Sequence, residues 1–208
     1  MGNELSIIQG WLSEARTAFN ACATHLDELD DAIGDGDHGS NMSRGFEAAS
    51  TMDYATFNTA AKALKQIGMT LLGTIGGASG SLYGTFFLTM ASHWPSQVNA
   101  PRFAALLRAA RDAVQATGRA EVGDKTMVDP LDAAVKAMEA AGDDAHLLDS
   151  LRAGVDAAQA ARDATRDMVA KRGRAALLGE KSVGHIDPGA ESMTLVLELS
   201  LRHLSDLG

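Results

Sequence analysis

The stretch NELSIIQGWLSEARTAFNACATHLDELDDAI, residues 3–33, decides the fold class. Its apolar residues fall at Leu5, Ile8, Leu12, Ala15, Phe19, Cys22, Leu26, Leu29 and Ile33, in alternating steps of three and four, which trace one face of a long helix. No run of comparable length alternates with period two. The rest of the chain is rich in Ala, Leu, Met, Glu, Arg and Asp, with only short β-branched runs, so the expectation is an all-α chain. Breakers divide it into eight helices, at roughly 3–32, 41–51, 56–73, 79–93, 101–117, 129–141, 145–172 and 189–206. Pro95 and Pro101, Gly142-Asp143-Asp144, and Asp187-Pro188-Gly189 supply the punctuation.

Composition narrows the function. The 208 residues carry a formal charge of -9, and no basic stripe is present, which argues against nucleic acid as a partner. A single cysteine, Cys22, excludes an internal disulfide and a cysteine-rich zinc site and fits a cytoplasmic setting. The length suits one domain spanning residues 1–208, with no Pro/Gly/Ser-rich linker dividing it. The amphipathic first helix is unlike a signal peptide. Residues 67–91 carry no charge, but their six glycines read as two buried helices meeting at a turn rather than as a membrane span.

If consecutive helices run up and down, the connections after the first, third, fifth and seventh lie at one end of the bundle. Those four hold nearly all the unusual chemistry: Gly34 to Asn41, Gly73 to Gly80, Gly118 to Asp129, and Gly173 to Gly189. The other three connections look like ordinary turns. Chain order alone therefore gathers four motifs into one pocket.

The first motif brings Asp30, Asp35 and Asp37 together, with no Lys or Arg between Arg16 and Arg44. Three such charges repel by about 3 kcal/mol per pair at ~5 Å and an effective dielectric of ~20, so a divalent cation is the natural compensation. Mg2+ takes one or two carboxylates and leaves room for phosphates. A calcium EF-hand is excluded, because the loop lacks the acid and glycine positions that motif needs. His38, Ser40 and Asn41 precede the second helix, and Gly76-Gly77-Ala78-Ser79-Gly80 precedes the fourth. Both helix starts favour an anion through their unpaired amides, and Ser79 is placed to cap its helix. Gly118 to Thr126 is a near miss of a phosphate-binding Walker loop, with Met127 as an apolar surface for a base. Lys171, Arg172 and Arg174 cluster near the expected end of the seventh helix. Arg174 is the best placed to fork phosphoryl oxygens, and Asp187 to cap the last helix or touch a ribose.

In order and spacing these motifs resemble the L subunits of dihydroxyacetone kinases over nearly the whole chain. The resemblance implies an eight-helix up-and-down antiparallel barrel with ADP or ATP held at one rim through two Mg2+ ions. It implies that Asp30, Asp35 and Asp37 ligate the metals, that His38, Gly39, Ser40, Asn41, Ala78 and Ser79 hold phosphates, and that Gly118, Met127, Asp187, Pro188 and Gly189 surround base and ribose. Arg174 would bind phosphate and serve catalysis. Ser81 departs from the family's usual proline and is expected to loosen the first turn of its helix. The implied partners are a dihydroxyacetone-binding K subunit and, for a free-standing L subunit, a phosphohistidine carrier of the sugar phosphotransferase system; no membrane partner is implied, and a homodimer is left open. Such a subunit is expected to be inactive alone. Alternatives are an ATP-using subunit of a tetrose-sugar kinase or a non-catalytic ADP-binding scaffold. A helical prenyl-diphosphate enzyme is the more distant rival, since Asp30-Asp31-Ala32-Ile33-Gly34-Asp35 misses its aspartate-rich motif by one residue.

Overall fold

The computed structural model describes residues 2–204, which form eight α-helices: α1 Gly2–Ile33, α2 His38–Ser50, α3 Ala60–Thr74, α4 Gly77–His93, α5 Ala100–Gly118, α6 Val128–Ala140, α7 Leu147–Ala164 and α8 Pro188–Leu204. Three short 3-10 segments, Tyr54–Thr56, Thr165–Asp167 and Ala175–Ser182, fall between them, and no strand occurs among the described residues. The expected all-α chain is what forms. The last two residues of the expected eighth helix lie outside the described residues.

The apolar stripe of α1 is the seam of the molecule. Ile8, Leu12, Ala15, Phe19, Leu26 and Ile33 are buried, with Leu5, Cys22 and Leu29 half-buried beside them. Phe19 stacks on Phe46 of α2 with ring centroids 4.4 Å apart, and Trp11, Phe46 and Phe87 of α4 meet edge-on or tilted around that pair. Such aromatic pairs add about 0.5–1.5 kcal/mol each beyond the area they bury. One contiguous apolar core draws on all eight helices. Each helix packs on the next in sequence and α8 returns to α1, so the eight close into a ring.

Side-chain caps fix the starts of α3 and α5. The Thr59 side chain accepts from Lys62 N at 3.2 Å and starts α3, while Asn99 does the same for α5 through Arg102 N at 3.1 Å. The helix expected from residue 56 therefore starts later, because Tyr54–Thr56 forms a separate 3-10 turn. Residues 67–91 do form two helices, meeting at Ile75 and Gly76. They cross through Gly68 and Gly84, where an added Cβ would lie 2.9 Å from Leu88 or Leu72 atoms. They are not wholly buried, since Met69 and Leu72 are about half exposed.

The seventh helix ends at Ala164 rather than near residue 172. Tertiary bonds capture the chain there. Thr165 Oγ1 accepts from Asp187 N at 3.0 Å, and Arg166 O accepts from Gly184 N at 2.7 Å. Residues 168–187 consequently form an arm that reaches back across the end of the ring where α1 gives way to α2.

Candidate functional site

The connections after α1, α3, α5 and α7 do come together, around a cleft of about 400 Å³. That volume suits a small ligand. Asp30, Asp35, Asp37, His38, Asn41, Gly76–Ser79, Gly118, Met127, Arg172–Ala175 and Asp187–Gly189 all line it.

The acidic loop is built from the end of α1. Asp30 sits in its last turn, and its Oδ2 accepts from Asp37 N at 3.0 Å, folding the loop back on itself. Gly34 is required there, because a Cβ would fall 2.1 Å from Asp30 Oδ1. Oxygens from Asp30, Asp35 and Asp37 then lie within 4.8 Å of one another. The donor set is hard oxygen only, which fits Mg2+ and not a thiolate- or imidazole-preferring metal. Arg174 Nη1 crosses from the arm to Asp35 Oδ2 at 2.6 Å and offsets part of the repulsion.

Facing the acids are the first turns of α2 and α4. These helices begin at His38 and Gly77, earlier than the sequence suggests, so His38 to Asn41 and Ala78 and Ser79 lie inside the opening turns. Ser79 does not cap α4, whose N-cap is Gly76 without a side-chain bond. Its Oγ lies 3.2 Å from His38 Nδ1 instead. His38 Nε2 lies 2.8 Å from Ser192 Oγ, and Ser192 Oγ lies 2.7 Å from the Tyr83 hydroxyl. Burial pushes the His38 pKa down against the pull of Asp30, Asp27 and Asp37, so a neutral ring with both nitrogens engaged sits beneath the helix starts.

Two of the expected phosphate residues stand apart. Ser40 donates its backbone N and its Oγ to Asp27, at 2.9 and 2.6 Å, on the far side of α2. Gly39 packs on α1, where a Cβ would fall 1.9 Å from Ala23 O. Of His38 to Asn41 only His38 and Asn41 line the cleft. Arg44 holds Asn41 in place, donating to its Oδ1 and, at 3.1 Å, to Thr74 O. Ser81 lies beyond the first turn of α4, and its Oγ donates to Ala78 O at 2.8 Å.

The far wall is apolar, formed by Leu82, Val114, Met127 and Val128 beside Gly118. Met127 is buried, and a Cβ added at Gly189 would lie 3.6 Å from it. Asp187 caps α8 as expected, accepting from Ala190 N at 2.7 Å, with Pro188 opening the helix. Burial pushes the Asp187 carboxyl up to about 7, helped by Asp129 and Asp30. The three cations divide. Arg172 and Lys171 pair with Asp124 at 3.0 and 3.5 Å, and only Arg174 reaches the acids. Burial raises the Asp124 carboxyl, but the Glu121 amide, Arg172 and Lys171 outweigh it and hold it below the usual range. The lysine of the near-Walker segment, Lys125, is among the residues lining the cleft, and its Nζ is bonded to the carbonyls of Met168, Ser182 and His185. Sequence reasoning missed Tyr83, Ser192 and Arg44, whose partners are remote or unremarkable in type, while Gly118, Lys125 and Thr126 of the near-Walker segment line the cleft.

No described helix is long and apolar enough to cross a membrane. The DAK2 domain model matches residues 32–201. The chain is 40% identical over 185 residues to the ADP-binding subunit DhaL of PEP-dependent dihydroxyacetone kinase 2 of Listeria innocua, covering 86% of each chain. It is 36% identical over 196 residues to the ADP-binding subunit DhaL of the PEP-dependent enzyme of Escherichia coli, covering 92% of this chain and 93% of that one. The crystal structure of the dihydroxyacetone kinase of C. freundii in complex with AMP-PNP and Mg2+ superposes with a TM-score of 0.70 at 25% identity, over 95% of this chain. This chain spans 34% of that kinase's length. With a domain match over most of its length and relatives this similar from end to end, the chain belongs to the DAK2 domain family.

Proposed function

We propose that this chain is the nucleotide-binding subunit of a dihydroxyacetone kinase, one domain holding ADP or ATP with two Mg2+ ions. The observation that carries the reading is the convergence of three carboxylates, within 4.8 Å, opposite two helix N-termini in one cleft. Acids and amide-lined helix starts prefer opposite charges, and a metal-bound diphosphate supplies both. The names of the relatives, ADP-binding subunits of dihydroxyacetone kinases, support the same reading.

Bound Mg2+ would neutralise phosphate charge and fix the oxygens for in-line transfer. Asp30, Asp35 and Asp37 would hold it. The amides opening α2 and α4 donate to phosphate oxygens, with His38 and Ser79 beneath them fixing the turn. Arg174, on the arm, exchanges its carboxylate partner Asp35 for a phosphoryl oxygen and supplies the guanidinium fork. Leu82, Val114 and Met127 keep water from one face of the base. The catalysis open to these residues is positioning and charge neutralisation, and the cleft holds no activated nucleophile for a sugar, since His38 spends both ring nitrogens on serines. The acceptor ketose is therefore held by a separate K subunit, and a phosphohistidine carrier recharges the ADP in place.

Two measurements test this. Denaturing the purified chain and identifying the released small molecule should yield ADP, whereas readily exchanged ATP would favour an ordinary kinase. Dihydroxyacetone phosphorylation should require an added K subunit. Turnover by the chain alone would overturn the division of labour.

A further inference from the structure

Lys125 carries a charge for which the site described above has no use. Its side chain is 1% exposed, and its backbone takes φ 62°. Nζ donates to Ser182 O and His185 O at 2.6 Å each, and to Met168 O at 3.3 Å. An ammonium has three protons, so these carbonyls exhaust it and leave none for a phosphate. All three acceptors lie on the arm between α7 and α8. The arm holds the 3-10 segment Ala175–Ser182 and bends at Gly173, Gly179 and Gly184 with positive φ.

The turn carrying Lys125 grips the same arm at other points too, with Lys171 Nζ donating to Gly123 O at 3.2 Å. Lys171 N donates to Asp124 O at 3.1 Å, and Arg172 Nε donates to the Asp124 carboxylate at 3.0 Å. Arg174 follows immediately and reaches Asp35. Residue 168 is distant along the arm from the neighbouring pair 182 and 185, yet all three meet at one buried ammonium, which ties the arm's outgoing and returning limbs to a single point. A buried side chain that merely filled space would need none of these bonds.

We propose that Lys125 is a positioning residue of the nucleotide site, an internal pin that fixes the arm so that Arg174 is presented to the acidic loop. The role rests on the reading of the cleft as a nucleoside diphosphate site. Lys125 acts through Arg174 and not on the ligand directly, because its three ammonium protons are taken by carbonyls of the arm. None of its three acceptors belongs to α1–α8, so losing the pin loosens the arm and leaves the helical ring standing.

The test compares the native chain with Lys125→Met, which keeps the length and loses the charge. Ser182→Ala is the second variant, loosening the arm without touching the ammonium, since Ser182 Oγ accepts from Ala170 N at 2.9 Å and donates to Gly179 O at 2.7 Å. In ligand-free protein, amide hydrogen exchange across residues 168–187 should rise at least about tenfold in each variant, with α3 and α4 unchanged. Mg-ADP should bind about tenfold more weakly, because an arm in place in only about one molecule in ten lowers the apparent affinity by that fraction. Arg174→Ala should cost about tenfold in the native background and under about threefold in Lys125→Met, because a misplaced guanidinium has little left to lose. Full additivity of the two substitutions, or unchanged arm exchange, would overturn the pin. If Lys125→Met does not fold, Ser182→Ala decides by the same exchange and coupling criteria. A native chain that takes no Mg-ADP would sink the nucleotide reading and this role together, whereas normal Mg-ADP binding by Lys125→Met would sink this role alone.

Discussion

Asp37→Asn should make the ligand-free protein more stable while destroying its response to Mg-ADP. Oxygens of Asp30, Asp35 and Asp37 lie within 4.8 Å, and Asp35 and Asp37 are exposed. At that separation an effective dielectric of ~20 would give about 3.5 kcal/mol per pair, but water-like screening at an exposed loop reduces this to about 0.9 kcal/mol. Removing Asp37 relieves two such pairs, or about 1.7 kcal/mol at the screened value. Against that stands the loss of a negative charge at the start of α2, which costs about 0.5 kcal/mol. No side-chain cap is lost, since Asp37 makes none, and its backbone N still donates to Asp30. The net gain is about 1 kcal/mol, a rise in Tm of about 2–4 °C for a chain of this size. Asp35→Asn should gain less, because it gives up the Arg174 pair. Differential scanning calorimetry at low salt, with EDTA and then with Mg-ADP, reads both effects. Native protein should gain Tm with Mg-ADP and Asp37→Asn should not. A variant less stable than native in EDTA, or one that keeps the full Mg-ADP shift, would refute the reasoning.

Asp187, with its carboxyl raised to about 7 by burial, holds its proton more tightly folded than unfolded. Stability from this group is therefore greatest at acid pH and falls as pH rises from near 4 through about 7. Asp187→Asn keeps a cap acceptor and removes the titration, so urea unfolding in EDTA should show its advantage over native protein growing from nothing near pH 4 to its full size near pH 8. An advantage independent of pH would contradict the assignment. Gly39→Ala places a Cβ 1.9 Å from Ala23 O and forces α1 and α2 apart. It should cost about 1–3 kcal/mol in urea unfolding, the range typical of overpacking. A neutral result would mean that Gly39 owes its place to something other than helix packing.

The fold was legible because its signals are local. The stripe from Leu5 to Ile33 specifies α1 through spacing alone, and breakers at Gly76, Pro101 and Asp187 mark helix starts through their own backbone or side-chain chemistry. The gathering of the four connections needed only the alternation of neighbouring helices. The overlong seventh helix shows the limit: Ala157 to Arg172 has the composition of a helix, yet Thr165 and Arg166 are bonded to Asp187 and Gly184. Propensity is a weak prior once tertiary partners compete for the backbone. The site divides in the same way. Asp30, Asp35 and Asp37 announce themselves by proximity in sequence and by the absence of nearby cations. The His38–Ser192–Tyr83 network joins residues 154 and 109 positions apart, and nothing local in Ser192 or Tyr83 betrays it. Ser40 shows the same limit, since its place at a helix start suits an anion equally well whether that anion is a phosphate or the carboxylate of Asp27 to which it donates in the structure.

A diphosphate held at the acidic rim by way of Mg2+, rather than directly, should need the metal to bind. Calorimetric titration of nucleotide-stripped protein with ADP, in Mg2+ and again in EDTA, tests it most directly. Binding that is at least about a hundredfold tighter with the metal is predicted, since without it the phosphates face three carboxylates. Equal affinity in EDTA would contradict the account.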